Sequence, residues 1–485
     1  MIQTLEYKVG TSWEPGRAPT ESDDINPSDT RETLARYRLL TAEQVRRAID
    51  AAEAGARLWR ATSPIERGIV MSRAAHALRM AKGEIGAVVS RENGKTIGEA
   101  TVEVEKSADF LDFYAGLART PLGTIIADAR RGTRTMTLTE PVGIVLAITP
   151  WNDPMLTPAR KLAPALLAGN AVLLKAARDT PLAAVHLTRA LCDAGLPDGV
   201  LGLVMSDHAT LDEVLLADKR LAAVSFTGST EVGLALQRTL AGRHVRVQTE
   251  MGGKNAAVVL ADADLDMTAA TIAAGAFGQA GQRCTATSRI IVEAPVYDEM
   301  VTRLAAAAGA LRLGASTDPA THMGPLVNEG HRSEVLGHVN RARSSGARVV
   351  VGGNVPTGDA LRHGCFVEPT VIADVTAQMP IWRDEVFGPV IAVHRVRSFD
   401  EAISAVNDSS YGLSSSIFTT SLRSAQRFID AADTGQVAVN LPTSGWDVHQ
   451  PFGGFKDSGS AFKEQGLEGL RFYTRVKTAA VRFDW

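Results

Sequence analysis

A chain of 485 residues with a formal net charge of -3 is long enough for two or three domains with separate hydrophobic cores. The near balance of charge argues against nucleic acid and against a membrane surface as partners. Three cysteines and scattered histidines without ligand spacing argue against a disulfide framework and against a metal site. The N-terminus lacks the basic start and the apolar run of a secretory signal. We therefore expect a soluble, cytoplasmic protein that needs no metal.

The first part of the chain predicts helices. Residues 42–118 carry apolar side chains at three-to-four spacing, and Thr41 with Gln44 resembles a capping box at their start. Beyond them, short continuous apolar runs alternate with helical stretches such as 181–195. The runs are 142–149, 171–176, 223–228, 255–260, 289–293 and 389–396. This alternation indicates parallel strands with crossover helices, so the expected fold class is α/β.

Two segments do not follow this alternation. Residues 124–143 and 470–483 read as long, partly alternating strands. Arms of this kind often pair with each other and extend onto a neighbouring subunit, because an open strand edge accepts another chain. We expect them to form an oligomerisation sheet in a homodimer or homotetramer.

Polar residues follow three of the predicted parallel strands, where such sheets bind their ligands. The first run is followed by Pro-Trp-Asn-Asp at 150–153, and the second contains Lys175, with Arg178 three residues later. The third ends in a glycine turn, TGSTEVG at 227–233. This turn offers free N–H groups and the positive end of a helix to a pyrophosphate. It is a weak signal by itself, since no GxGxxG accompanies it.

Cys284 lies alone in the stretch GQRCTATSR, where it could be a nucleophile, a metal ligand or a core residue. The chain carries six segments in one order: ITPWNDP (148–154), FTGSTEVG (226–233), EMGGKN (250–255), GQRCT (281–285), EVFGPV (385–390) and PFGGFKDSG (451–459). Together they resemble the aldehyde dehydrogenase superfamily over essentially the whole chain. With VNLPTSGWDVHQPFGG they look most like its α-ketoglutaric semialdehyde and succinate semialdehyde dehydrogenase branches.

The resemblance implies a Rossmann-like cofactor domain, an α/β catalytic domain that carries the nucleophilic cysteine, and a small β oligomerisation arm. The boundaries expected from it are 1–122 with 142–252 for the dinucleotide-binding domain, 253–455 for the catalytic domain, and 123–141 with 456–485 for the arm.

By the same resemblance, Cys284 is the nucleophile, and its thiolate attacks the aldehyde to give a thiohemiacetal and then a thioester. The side-chain amide of Asn152 and the backbone N–H of Cys284 are the implied oxyanion donors. Glu250 is the implied general base for hydrolysis of the thioester. Cys192 and Cys365 are interpreted as core residues.

The resemblance also gives the cofactor contacts. Lys175 matches the lysine that holds the adenosine ribose, and Glu385 with Phe387 matches the pair that positions the nicotinamide ribose and ring. The other implied contacts are Ile148, Thr149, Trp151, Gly228, Ser229, Val232 and Met251.

Two cofactor positions depart from the family pattern. Arg178 stands where NAD-preferring members commonly have a glutamate that binds the ribose hydroxyls. An arginine cannot accept those hydrogen bonds but can pair with a 2′-phosphate. His208 replaces a common glycine and could add a second phosphate donor. NADP is therefore the expected cofactor, with NAD as the alternative.

The expected substrate is a small carboxylated semialdehyde. Succinate semialdehyde dehydrogenases have an arginine at the position of Arg160, where it can hold the substrate carboxylate. Asp153 replaces an aromatic residue and could neutralise Arg160 in an internal pair. Arg283 and His449 are further candidates for substrate contact.

Three alternatives stay open. One is an NAD-preferring dehydrogenase of neutral or aromatic aldehydes, and another is a member that releases acyl-CoA. A non-catalytic binding or structural member belongs to a different class, against which the intact set Cys284, Glu250 and Asn152 argues.

Overall fold

A computed structural model of the chain describes residues 3–120 and 123–483. The α-helices in these ranges are α1 Ala42–Ala61, α2 Pro64–Met80, α3 Lys82–Asn93, α4 Ile97–Gly116, α5 Leu156–Ala168, α6 Pro181–Asp193, α7 His208–Thr210, α8 Thr230–Leu240, α9 Leu265–Phe277, α10 Tyr297–Gly309, α11 Glu329–Ser344, α12 Pro380–Arg383, α13 Phe399–Asn407, α14 Leu422–Ala431 and α15 Gly466–Phe472.

The strands are β1 Gln3–Thr4, β2 Glu6–Val9, β3 Ser12–Pro15, β4 Glu21–Ile25, β5 Thr33–Arg38, β6 Ile125–Ile126, β7 Thr133–Pro141, β8 Ile144–Ile148, β9 Ala171–Lys175, β10 Leu201–Val204, β11 Leu221–Thr227, β12 Arg246–Glu250, β13 Ala256–Val259, β14 Arg289–Glu293, β15 Arg348–Val351, β16 Thr370–Ala373, β17 Val390–Val396, β18 Tyr411–Gly412, β19 Ser414–Phe418, β20 Gln436–Val439, β21 Phe455–Lys456 and β22 Thr474–Arg482.

The helical prediction for the first part of the chain is confirmed by α1 to α4. Thr41 and Gln44 form the expected capping box, and Ser63 and Thr96 cap α2 and α4 in the same way. A capping box satisfies backbone N–H groups that the first turn of a helix cannot pair. Gly94 ends α3 in the left-handed region, with a φ of 90°, which glycine adopts at little cost.

The first large sheet is parallel, with the strand order β10-β9-β8-β11-β12. Its strands β8, β9 and β11 confirm three of the predicted apolar runs. The register aligns Ile148 with Lys175, and Thr227 with Glu250. The carboxyl ends of four strands therefore meet at one edge of the sheet, where the functional site is expected. β12 was not predicted from the sequence, because RVQTE is mostly polar.

The second large sheet has the order β15-β16-β17-β14-β13-β19-β20, and only its edge strand β15 is antiparallel. Cys284 lies shortly before β14, and Glu385 lies shortly before β17. The second sheet thus contributes residues from the amino ends of its strands. The buried core against the first sheet contains residues up to Met251 together with Phe472 and Tyr473, and the core of the second sheet contains residues from Ala256 to Phe428. The domain boundaries themselves stay a prediction.

The third sheet, β22-β7-β6, is formed by the two predicted arms. Nine residues of β22 pair antiparallel with β7, from Thr474 opposite Pro141 to Arg482 opposite Thr133, so the expected pairing of the arms is confirmed. Residues 470–472 belong to α15 instead of a strand, because Phe472 is buried in the core of the first sheet. The first arm is likewise interrupted between β6 and β7.

Candidate active site

The loop before β14 presents Cys284. Three residues ahead of it, Gln279, Ala280 and Gly281, have left-handed φ values of 51°, 54° and 71°. A Cβ at Gly281 would collide with a neighbouring backbone carbonyl, so this position requires glycine. Asn255 donates a hydrogen bond of 2.8 Å from Nδ2 to the carbonyl of Cys284. The loop is therefore tied to the residue that precedes β13.

The Cys284 side chain is partly buried at the meeting point of two cavities. Burial raises the pKa of its thiol to about 12, while the positive charge of Arg160 opposes that rise. The thiol is thus protonated at neutral pH until a base or a bound ligand changes its surroundings. Within residues 3–120 and 123–483, the backbone N–H of Cys284 makes no hydrogen bond, so it is available to an oxyanion.

Asn152 is buried beside this loop. Its Nδ2 donates a hydrogen bond of 3.0 Å to the carbonyl of Gln282, and its own carbonyl accepts one of 2.8 Å from Lys95 Nζ. An amide nitrogen carries two N–H groups, so one remains for a ligand. Asn152 and Cys284 line the same cavity. The structure therefore brings the two predicted oxyanion donors together.

Glu250 ends β12 and is buried, with no hydrogen bond to either carboxylate oxygen among the described residues. Burial raises the pKa of Glu250 well above its usual range, and the neighbouring Glu464 raises it further. Its carboxylate packs against Gly453, where a Cβ would collide with it. Glu250 lines neither cavity at Cys284 but contributes to the raised pKa of that thiol, which places the two groups in one electrostatic neighbourhood.

A buried ionic cluster behind Glu250 was not predicted from the sequence. Lys161 and Glu464 form an ion pair with both side chains buried. Lys161 Nζ also donates a hydrogen bond of 2.9 Å to Ser225 Oγ. A buried charge is tolerated only when it is paired. Glu464 belongs to the stretch KEQG at 463–466, which gives no signal for this pairing. Its partners Lys161 and Ser225 lie 303 and 239 residues earlier in the chain.

A cavity of about 240 Å³ adjoins Cys284 on the side of the first sheet. Six predicted cofactor residues line it: Trp151, Gly228, Ser229, Met251, Glu385 and Phe387. Glu385 accepts a hydrogen bond of 2.8 Å from the backbone N–H of Gly253, and burial raises the pKa of its carboxyl to about 7. The Trp151 and Phe387 rings meet edge to face at 5.5 Å between centroids.

The remaining predicted cofactor residues lie at the strand ends and the loops beside them. Ile148 pairs with Lys175 in the sheet, and the N–H of Thr149 bonds to the Lys175 carbonyl. Val232 lies in the first turn of α8, whose cap is Ser229. Arg178 and His208 are exposed and lie near Asp207. The pKa of Asp207 is lowered mainly by hydrogen bonds from Thr210, and the charge of Arg178 lowers it further.

A second cavity, of about 200 Å³, extends from Cys284 toward the surface. Three of the four predicted substrate residues line it: Asp153, Arg160 and Arg283. Trp446 and Phe452 also line it and were not predicted from the sequence. Asp153, Arg160, Cys284 and Phe452 line both cavities, so they surround the point where a reacting carbon would lie.

The structure corrects one substrate prediction, His449, and decides the open alternative for Asp153. His449 lines neither cavity; its exposed side chain lies 3.6 Å from Asp447. Asp153 does not form an ion pair with Arg160, because its Oδ1 binds Lys95 Nζ at 3.1 Å instead. The nearest acid to Arg160 is Glu464, at 3.6 Å.

The comparisons with known proteins agree with this geometry. The model of the aldehyde dehydrogenase family matches residues 13–479. The chain belongs to the aldehyde dehydrogenase family. It is 42% identical to α-ketoglutarate semialdehyde dehydrogenase of Haloferax volcanii over 481 residues, 99% of both chains. It is 35% identical to α-ketoglutaric semialdehyde dehydrogenase of Bacillus subtilis over 457 residues, 94% of both.

Solved aldehyde dehydrogenases share the fold. The structure of betaine aldehyde dehydrogenase from Staphylococcus aureus in complex with NAD+ matches with a TM-score of 0.95 and 31% identity, over 99% of this chain and 95% of that one. The predicted family, branch resemblance and fold are confirmed. Within the described residues, no helix is long and apolar enough to cross a bilayer, and no cluster of side chains could hold a metal ion.

Proposed function

We propose that this aldehyde dehydrogenase oxidises a small carboxylated semialdehyde to the corresponding acid, with NADP favoured as the cofactor. The proposed substrate class rests on Arg160, whose guanidinium is buried and lacks hydrogen-bond partners among the described residues. Its side chain is only 11% exposed, it lies 4.6 Å from the Phe452 ring centroid, and it makes no hydrogen bond within the described residues. A buried guanidinium without hydrogen bonds is costly, and a substrate carboxylate would satisfy it.

The neighbouring acid does not replace that carboxylate. Glu464 Oε2 faces Arg160 at 3.6 Å, beyond hydrogen-bond distance, and the other oxygen of Glu464 is engaged by Lys161. Arg160 therefore keeps donors for a ligand in the cavity that it shares with Cys284. The semialdehyde substrates in the names of the relatives from Haloferax volcanii and Bacillus subtilis support the same class.

The chemistry that we assign to the chain begins with the thiolate of Cys284, which attacks the aldehyde carbon. The free amide N–H of Asn152 and the backbone N–H of Cys284 stabilise the oxyanion of the resulting thiohemiacetal. A bound nicotinamide cofactor supplies the acceptor for the hydride that leaves the substrate carbon. The resulting thioester on Cys284 is then hydrolysed, which releases the acid and restores the thiol.

Glu250 is the base that we assign to this hydrolysis. Both of its oxygens lack hydrogen bonds, so they can accept a proton from water, and its raised pKa strengthens it as a base. Its strand neighbour Thr227 and the next residue, Met251, both line the cofactor cavity. This position supports a role beside the thioester and favours hydrolysis over release of acyl-CoA.

The residues around the first cavity fit a dinucleotide. The N-terminus of α8, eleven residues long, follows the turn at Gly228 and offers free N–H groups to a pyrophosphate. Thr227 Oγ1 is buried without a hydrogen-bond partner in the described residues and lines the cavity. A Cβ at Gly252 would collide with the Glu385 carboxylate, so the backbone leaves this acid room to approach a ribose.

The preference for NADP rests on Lys175 and Arg178. Burial lowers the pKa of Lys175, and the charge of Arg178 lowers it further, so the two cations lie close together. Neither forms an ion pair within residues 3–120 and 123–483, and Arg178 donates only to the Ser206 carbonyl, at 3.5 Å. Two neighbouring cations that form no ion pair among the described residues fit a 2′-phosphate. The nearby Asp207 favours the alternative, NAD, because a carboxylate can accept bonds from ribose hydroxyls.

The experiment is a panel of aldehydes assayed with NADP and with NAD. Succinic semialdehyde and butanal form a matched pair, because they have the same chain length and differ in the carboxylate. We expect higher kcat/KM for succinic semialdehyde and for NADP. Equal kcat/KM for the two aldehydes would refute the substrate class, and absence of oxidation of every aldehyde would favour a non-catalytic member.

A further inference from the structure

The acid at the meeting point of the two cavities has a free oxygen. Asp153 Oδ1 accepts hydrogen bonds from Lys95 Nζ at 3.1 Å and from Gln279 Nε2 at 2.9 Å. Its second oxygen, Oδ2, makes no hydrogen bond among the described residues, although the carboxylate lines both cavities. Oδ2 is therefore an acceptor that a substrate can reach.

The orientation of this carboxylate is fixed. Lys95 is fully buried and also pairs with Glu103, whose other oxygen accepts the backbone N–H groups of Met155 and Leu156. These contacts hold the segment that carries Asp153 at the start of α5. An acceptor that is held in place before binding discriminates between substrates more strongly than a mobile one.

The carboxylate is negatively charged. Burial opposes its ionisation, but Lys95 and Arg283 hold the pKa of Asp153 below its usual value. An anionic acceptor forms stronger hydrogen bonds than a neutral one, and it disfavours a ligand that offers only lone pairs in the same place.

The charges of the other cavity residues decide whether an ammonium or a hydroxyl group of the substrate donates to Asp153 Oδ2. Arg160, Arg283 and Lys106 line the same cavity, and its other acids are Glu99 and Glu103. Glu99 is occupied, since Oε1 accepts from the N–H of Gln279 and Oε2 from the N–H of Thr96. Glu103 is occupied as well, by its ion pair with Lys95 and by the N–H groups that it accepts at the start of α5. The three cations would repel a substrate ammonium, whereas they would not repel a neutral hydroxyl.

We infer that Asp153 selects a carboxylated aldehyde that carries a hydroxyl group on the carbon next to the aldehyde. This inference rests on the proposed function, in which Arg160 holds the carboxylate. Asp153 follows the oxyanion donor Asn152 in the chain and lines the cavities together with Cys284, so its free oxygen lies near the reacting carbon and its immediate neighbour. The hydroxyl donates to Oδ2, and the aldehyde is oxidised as before.

The test compares kcat/KM for succinic semialdehyde with that for each enantiomer of its analogue hydroxylated next to the aldehyde. We expect the wild type to prefer one hydroxylated enantiomer by about ten-fold or more, as a charged acceptor implies. Asp153→Asn and Asp153→Ala should lower this ratio to about three-fold or less. Glu99→Gln, which changes an acid whose oxygens are already occupied, should keep the wild-type ratio.

A wild-type ratio near one would overturn the inference, even if neither Asp153 variant folds. A ratio that survives in Asp153→Ala, or a greater preference for an amino analogue, would overturn it as well. The comparison between succinic semialdehyde and butanal separates this result from a failure of the proposed function, because neither of those aldehydes carries the hydroxyl.

Discussion

Replacement of Arg160 by methionine tests how the site recognises the substrate. Methionine keeps an unbranched stem to pack against Phe452 but removes every guanidinium donor. A hydrogen bond between charged groups contributes roughly 1.5–3 kcal/mol, which is about ten-fold to over a hundred-fold in binding. We therefore expect Arg160→Met to lower kcat/KM for succinic semialdehyde relative to butanal by that factor.

The ratio between the two aldehydes is the decisive quantity. Arg160 also opposes the rise in the Cys284 pKa, so its loss will slow both aldehydes to some extent. The assay is initial-rate formation of reduced cofactor over a range of aldehyde concentrations. Lys106→Met is the matched control, because it removes another cation of the same cavity that is largely solvated and paired with Asp447. An equal loss for both aldehydes in Arg160→Met would refute carboxylate recognition by this residue.

Four further predictions follow from the site. Arg178→Glu should shift the kcat/KM preference from NADP toward NAD by about ten-fold or more, and no shift would mean that Arg178 does not contact the ribose phosphate. Glu250→Gln should accumulate an acyl adduct on Cys284 that intact mass detects, whereas full turnover would exclude Glu250 as the base. Hydrolysis should accelerate as pH rises through the raised pKa of Glu250, because only the ionised carboxylate accepts a proton, and a flat profile would contradict this. Light scattering of the wild type should give the mass of a dimer or a larger oligomer. Val476→Asp on β22, where this side chain is 72% exposed, should weaken the oligomer. A monomeric wild type would exclude the oligomerisation sheet.

Much of the fold follows from local sequence patterns. The runs that became β8, β9 and β11 are short, continuous and apolar, as buried parallel strands require, and an α-helix follows each of them. The order of the strands in the sheet and the register that brings Lys175 beside Ile148 depend on contacts between distant segments, so the patterns alone could not give them.

The site was only partly predictable for the same reason. Cys284, Asn152 and the residues of the cofactor cavity belong to motifs, and the structure brings them together. The partners of buried charges are chosen by tertiary packing, which pairs Asp153 with Lys95 instead of Arg160. Lys95 lies in the short stretch NGK at 93–95, which by itself does not predict a role for it. The role of Lys95 follows only from its contact with the distant residue Asn152.

The protein is proposed to oxidise a carboxylated semialdehyde with a nicotinamide cofactor, through a covalent intermediate on Cys284. The most direct measurement is formation of reduced nicotinamide cofactor and of succinate from succinic semialdehyde, by the wild type and by Cys284→Ala. The wild type should form the two products in equal amounts, and Cys284→Ala should form neither while still binding the cofactor. Turnover of Cys284→Ala at the rate of the wild type would contradict the account.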